Sequence, residues 1–279
     1  MIYTKQTYVS GSMCDGKLKL SATAADETVE NAVTELMGDL GIDGIVAKEK
    51  YNAMWLIVKN NIRFIRRPAW REAFSVKCFI SKHSSVKLNI DTLAVTEGGE
   101  HLFEARTELC AIDLESGRPR KAESVGFTED MEHEPLYDLP FTRFPKGSAE
   151  PVESVIVRST SLDYCWHTNN IEYVKFVLNN YSAAFFMTHE LRELEIHYSN
   201  QSFEGERLDI EKLSDESGNH FFIKRGNDDI ASCRLVWLDE RQQATTKLLN
   251  ELAKGEKTAD EKGWLSEEEA DAGIDAQKH

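Results

Sequence analysis

Ten residues in the middle of the chain, Ser161 to Asn170 (SLDYCWHTNN), hold the side chains best suited to bond-making chemistry. In an extended segment alternate residues share a face, so Asp163, Cys165 and His167 are expected along one wall. An imidazole takes up a proton near neutral pH, a neighbouring acid orients it, and a thiol is a latent nucleophile. Asn169 and Asn170 follow where a helical pattern opens at Ile171. Asparagine caps helix starts, and the unpaired N–H groups there favour a developing negative charge. Together these residues read as a base, its orienting partner and an oxyanion donor set. The same spacing also suits a histidine satisfied within an ordinary strand-to-helix turn, and both readings stand at this point.

Long amphipathic elements must position this segment. A helix is expected over Asp26 to Leu40 (DETVENAVTELMGDL), capped by Asp26 and closed by Gly41, with Val29, Ala32, Val33, Leu36 and Met37 in its apolar stripe. A second is expected from Asn170 to about Met187. Strand patterns follow the first helix at 55–66, 73–81, 87–95 and 102–114, and the second at 191–198, 207–213, 220–224 and 230–238. The two series also match locally. Asn61–Ile65 pairs with Glu195–Ser199, 134 positions on, as does Glu72–Val76 with Glu206–Ile210; Ala105–Asp113 resembles Ala231–Asp239 at 126. One helix followed by antiparallel strands, twice over, is an α+β plan built from a duplicated module.

Five of the six prolines lie between Pro119 and Pro151 and mark a connector. The expected division is a first module over 1–125, a linker over 126–152, a second module over 153–245 and an acidic tail over 246–279. The net charge of −15 argues against a nucleic-acid partner. Lys59, Arg63, Arg66, Arg67 and Arg71 still make a dense basic run, which reads either as solvated strand charge or as a docking patch for an anionic carrier. Five scattered cysteines without a C-x-x-C pair point away from disulfides and zinc, and the histidine spacings suggest no metal site. No apolar run is long enough for a membrane span, and Met1–Gln6 lacks the character of a signal or transit peptide, so a cytoplasmic protein is expected.

The segment Leu162-Asp163-x-x-x-His167-x-Asn169-Asn170-x-x-Tyr173 resembles the motif opening the second helix of the acyl-acyl carrier protein thioesterases, which are tandem hotdog proteins. Trp55–Val58 and Arg66-Arg67-Pro68-Ala69-Trp70-Arg71-Glu72 resemble a strand and turn of that family's first hotdog. The likeness runs from about Tyr3 to Leu238. It implies two hotdog domains, each a long helix wrapped by an antiparallel sheet, and hydrolysis of fatty acyl-carrier thioesters without a cofactor. The implied partner is an acyl carrier protein bearing a phosphopantetheine-linked chain. Asp163, Cys165, His167 and Gln201 would line the chemistry; Asn169, Asn170, Trp55, Arg63, Arg66 and Arg67 would bind substrate. Two positions depart from the pattern: Cys165 replaces an asparagine, and Gln201 aligns with a catalytic glutamate. Asp15-Gly16-Lys17-Leu18-Lys19 stands before the first helix without an equivalent histidine, so one site per chain is implied, in a monomer or a homodimer. The alternatives are an acyl-CoA thioesterase and a non-catalytic acyl-binding protein.

Overall fold

The computed structural model describes residues 1–240; the expected acidic tail lies outside them. Met1–Met187 with Leu191–Trp237 form one compact body. Within the described residues the strands are β1 (Tyr3–Tyr8), β2 (Ala53–Phe64), β3 (Ala73–His83), β4 (Lys87–Val95), β5 (His101–Asp113), β6 (Glu150–Ile156), β7 (His189–Tyr198), β8 (Arg207–Asp215), β9 (Gly218–Arg225) and β10 (Asp228–Asp239). They form one sheet in the order β1-β3-β4-β5-β2-β7-β10-β9-β8-β6. The plan is α+β, as expected. The second five strands repeat the order of the first five about the β2–β7 junction. There Asn61 stands opposite Glu195, the same two residues that match at 134 positions along the chain.

Helix α1 (Ala22–Asp39) packs on β1, β3 and β4. Its cap is Ser21, whose hydroxyl accepts from the Ala24 N–H at 3.1 Å, and not Asp26 as expected. Asp26 sits more than a turn inside and is fully buried. The apolar stripe buries Val29, Ala32, Val33, Leu36 and Met37. Gly41 closes the helix at a φ of 68°, a conformation that costs a residue without a side chain little. A short helix, α2 (Gly44–Tyr51), follows behind the Asp43 cap; it buries only Ala47 and leaves little periodic signal.

The second long helix is interrupted. It runs as α3 (Asn170–Leu178) and α4 (Ala183–Thr188). The Asn180 side chain donates to the carbonyls of Phe176 and Val177 at 3.0 and 3.2 Å, ending the first segment. Ser182 then accepts from Phe185 N–H and starts the next. Such local side-chain bonds compete with helix propagation, and the apolar periodicity across 170–187 conceals them. Strands β1 and β6 had no clear pattern because both are edges with mostly exposed residues. Pro151 is accommodated in β6 because an edge strand has a side without ladder bonds.

The strand correspondence corrects one register. Bulges fall at Leu102 and at Ile230, and Phe103 occupies in β5 the place of Ala231 in β10, 128 positions on. Matching Ala105 to Ala231 was therefore two residues out. A slip of two preserves which face each side chain occupies, so the hydrophobic pattern could not reveal it. The corrected register superposes Arg106 on Arg234.

Candidate active site

The Ser161–Asn170 segment is not extended. Leu162 and Thr168 pair as a single antiparallel bridge, and the chain between them folds back. Asp163 N–H donates to His167 O at 2.8 Å and Trp166 N–H to Asp163 O at 3.1 Å, with Trp166 at a φ of 65°. The Asp163 carboxylate accepts from the N–H groups of Cys165 (2.7 Å) and His167 (3.2 Å). The extended backbone behind the expected wall of Asp163, Cys165 and His167 does not form, because an aspartate that can satisfy two following amides favours a turn, although burial still alternates along these residues. Tyr164 and Trp166 project into solvent at 92% and 76% exposure, while Cys165 and His167 are half-buried.

The first half contains the same loop without the chemistry. Asp15 N–H donates to Lys19 O at 2.8 Å, Leu18 N–H to Asp15 O at 3.1 Å, and Asp15 accepts from the amides of Lys17 and Lys19. Leu18 takes a φ of 57°, and Ser21 caps α1 as Asn169 caps α3. Counterparts lie 148 positions apart, so Lys17 stands for Cys165 and Lys19 for His167. Since both aspartates bind the same backbone groups, this bonding in Asp163 is architectural.

The turn between β7 and β8 completes the second-half site. Ser202 is fully buried; its carbonyl accepts from Thr168 N–H at 2.9 Å, and its hydroxyl meets Thr168 Oγ1 at 2.7 Å and Tyr173 OH at 2.8 Å. This hydroxyl trio ties loop, helix and turn together. Phe203 then packs edge-on to His167, ring centres 5.1 Å apart. Among the described residues neither ring nitrogen of His167 has a hydrogen-bond partner. Gln201 is exposed and its carbonyl accepts from Arg225. Its first-half counterpart is Arg67, which is buried and forms an ion pair with Asp15. A salt bridge thus closes in one half the place left uncharged in the other.

At the α3 start Asn169 is spent on structure. Its Oδ1 accepts from Ile171 N–H at 2.9 Å, and its own N–H donates to Ser161 O at 2.9 Å. The helix-start donor expected from both asparagines is therefore reduced to the Asn170 N–H, which has no partner among the described residues. The Asn170 side chain donates to Glu30 Oε1 on α1 at 3.0 Å. Glu30 is half-buried by accessible surface, yet so hemmed in that burial pushes its carboxyl well above the usual range, with Asp26 adding to the rise. Burial raises Asp26 to about 7 against the opposing hydrogen bond from Asn60.

The basic run is largely neutralised. Lys59 lies 3.5 Å from Glu108, Arg63 pairs with Glu104, and Arg66 pairs with both Glu72 and Glu100. Arg71 instead stacks over Trp70, 4.4 Å from the ring centre. Trp55 is half-buried on β2 with its indole N–H unpartnered. A groove of about 570 Å³ lies between β1, α1 and α3, edged by Lys5, Ser12, Thr28, Asn31 and Lys175. Sequence reasoning missed Ser202, Thr168 and Glu30. Only Glu30 left a trace, as an acid one position from Val29 inside an apolar stripe.

The fold belongs to a known class. A solved acyl-ACP thioesterase from Bacteroides thetaiotaomicron superposes with a TM-score of 0.79 at 20% identity, covering 85% of this chain and 98% of the other. The 12:0-ACP thioesterase from Umbellularia californica gives 0.74 at 16% identity, covering 86% and 98%. Residues 147–256 match the acyl-ACP thioesterase C-terminal domain. A chloroplastic oleoyl-acyl carrier protein thioesterase of Coriandrum sativum is 20% identical over 206 residues, 64% of this chain. The match spans about half the length of that relative, 54%. Among the described residues no helix is long and apolar enough to cross a membrane.

Proposed function

We propose that this protein hydrolyses the thioester of a fatty acyl chain carried on acyl carrier protein, releasing a free fatty acid. The observation that carries this reading is the comparison between the two loops. Within one shared backbone geometry, Lys17, Lys19 and Arg67 are exchanged for Cys165, His167 and Gln201. Ionisable groups of fixed positive charge give way to groups able to exchange a proton or leave the site neutral.

In this reading His167 takes a proton from water as the water oxygen attacks the thioester carbonyl. The Asn170 N–H holds the oxyanion, the C–S bond breaks, and His167 returns the proton to the departing thiolate. Asp163 keeps the loop closed. Gln201 orients water by hydrogen bonding, since an amide cannot accept the proton. Cys165 is the competing nucleophile, through an acyl-enzyme. The conserved strand order on both sides of β2–β7 supports two tandem hotdog units, within the divisions 1–125, 126–152, 153–245 and 246–279. Arg71 and the groove beside α3 join Trp55 and Arg63 as candidate contacts for the carrier and its arm, whereas Arg66 and Arg67 are taken up by carboxylates. We place the protein in the cytoplasm, as a monomer or homodimer.

A ladder of saturated and unsaturated acyl-carrier thioesters, with matched acyl-CoA esters, tests the proposal. Turnover of carrier esters, lowered by orders of magnitude in His167→Ala, is the expected result. Preference for CoA would replace the substrate, and tight acyl binding without turnover would replace the activity.

A further inference from the structure

The two halves differ at one buried place in a way that packing does not require. In the first half Asp26, Asn60 and Thr107 form a hydrogen-bonded chain in which Thr107 donates to Asn60 at 3.0 Å and Asn60 donates to Asp26. The corresponding positions in the second half are Val174, Leu194 and Leu235. All six residues have zero exposure. Three apolar side chains thus fill the same space, whereas burying a carboxyl is unfavourable. One turn along α1 from Asp26, Glu30 corresponds to Leu178, and the residue it holds, Asn170, corresponds to Ala22. A carboxylate–carboxamide contact therefore meets the start of α3, while only leucine and alanine occupy the matching positions for α1.

We infer that Glu30, contributed by the first half, is a positioning residue for the site at the start of α3 and acts through Asn170. Its Oε1 accepts from Asn170 Nδ2 and fixes the carboxamide, leaving the Asn170 amide oxygen and backbone N–H free of partners among the described residues. These are the acceptor for a water and the donor for an oxyanion in the hydrolysis proposed above, on which this inference rests. The site is then composite: the second half supplies His167, Gln201 and Asn170, and the first half holds Asn170 in place.

The groups facing Glu30 are Asp26 and Glu27 on its own helix, Asn170 on α3, and Tyr198 on β7, with Cys233 on β10 reached through Asp26. Ionised Glu30 is the stronger acceptor for the Asn170 side-chain amide, so turnover rises with pH as it ionises.

The test is steady-state hydrolysis of the best acyl-carrier ester by wild type, Glu30→Gln, Glu30→Leu, Asn170→Ala and the Glu30→Leu/Asn170→Ala double variant, each with a melting curve. Glu30→Leu should lower kcat by about ten- to a hundredfold, with KM within about twofold. It should melt no lower than wild type, because leucine occupies the corresponding site. Glu30→Gln still accepts from Asn170; it should stay within about threefold of wild type but show a shallower acid limb of the kcat profile than wild type. The double variant should be no slower than the slower single variant. Wild-type kcat in Glu30→Leu, additive losses, or a fall in kcat that tracks a fall in melting temperature overturns the inference. Failure of Glu30→Leu to fold does so as well. If wild type itself hydrolyses no ester, the thioesterase reading fails and takes this one with it.

Discussion

Replacing Asp26 by asparagine isolates the energetic cost of the buried acid. Its carboxyl has no exposure, and burial raises it from 3.8 to about 7. Between these values the folded protein retains a proton that the unfolded chain has released. Stability therefore falls as pH rises through the window and levels off above about 7. Two pH units of that window lie between pH 5 and the folded value, equivalent to about 3 kcal/mol at 1.36 kcal/mol per unit. Asp26→Asn keeps a hydrogen-bonding side chain of the same size but cannot titrate. Its stability relative to wild type should increase by about 3 kcal/mol from pH 5 to pH 8, roughly 6–12 °C in Tm for a chain of this size. Relief of Glu30, whose carboxyl Asp26 helps to raise, acts in the same direction. Urea unfolding of both proteins at the two pH values measures the difference, and the other titrations cancel in the comparison. A gap that is the same at both values within about 0.5 kcal/mol would refute the claim that Asp26 holds its proton in the fold.

Asp15→Ala and Asp163→Ala should both destabilise by opening equivalent loops, Asp15→Ala by more, about 3 kcal/mol, because buried Arg67 loses its carboxylate counter-charge; calorimetry with acyl-carrier turnover should show activity lost only in Asp163→Ala. Ser202→Ala removes the hydroxyl that meets Tyr173 OH, while Thr168 Oγ1 keeps its bond to the backbone carbonyl at 202, and should cost about 1–2 kcal/mol in denaturant unfolding. Cys165→Ala and Cys165→Ser should both retain turnover if water is the nucleophile; loss in both, with an acyl adduct trapped on wild type by mass spectrometry, would assign the attack to the thiol.

Most of the central strands were legible because one-sided burial stamps a period of two on the chain: β4 was expected over 87–95 and is found there. The helix stripe of α1 was equally clear, but its start was misplaced. Asp26 has the composition of a cap, and only the fold shows that Ser21 already fills that role. The loop around His167 shows the same limit. Its residue types announced proton chemistry, yet the extended backbone expected for them gives way to a turn, because the Asp163 carboxylate bonds to nearby amides and bends the chain.

The amino-acid sequence alone determined the α+β class, the repeated order of elements and the set of proton-exchanging residues near Asn169. These follow from local chemistry and from periodicities of two and 3.6, which are carried by neighbours along the chain. Tertiary structure decided which charges were spent: Arg67 on Asp15, Arg66 on Glu72 and Glu100, and Asn169 on its own helix. It also brought Glu30 to Asn170, a contact spanning 140 positions. Nothing local encodes such a meeting, because it depends on how two helices anchored to separate strand sets come to lie against each other.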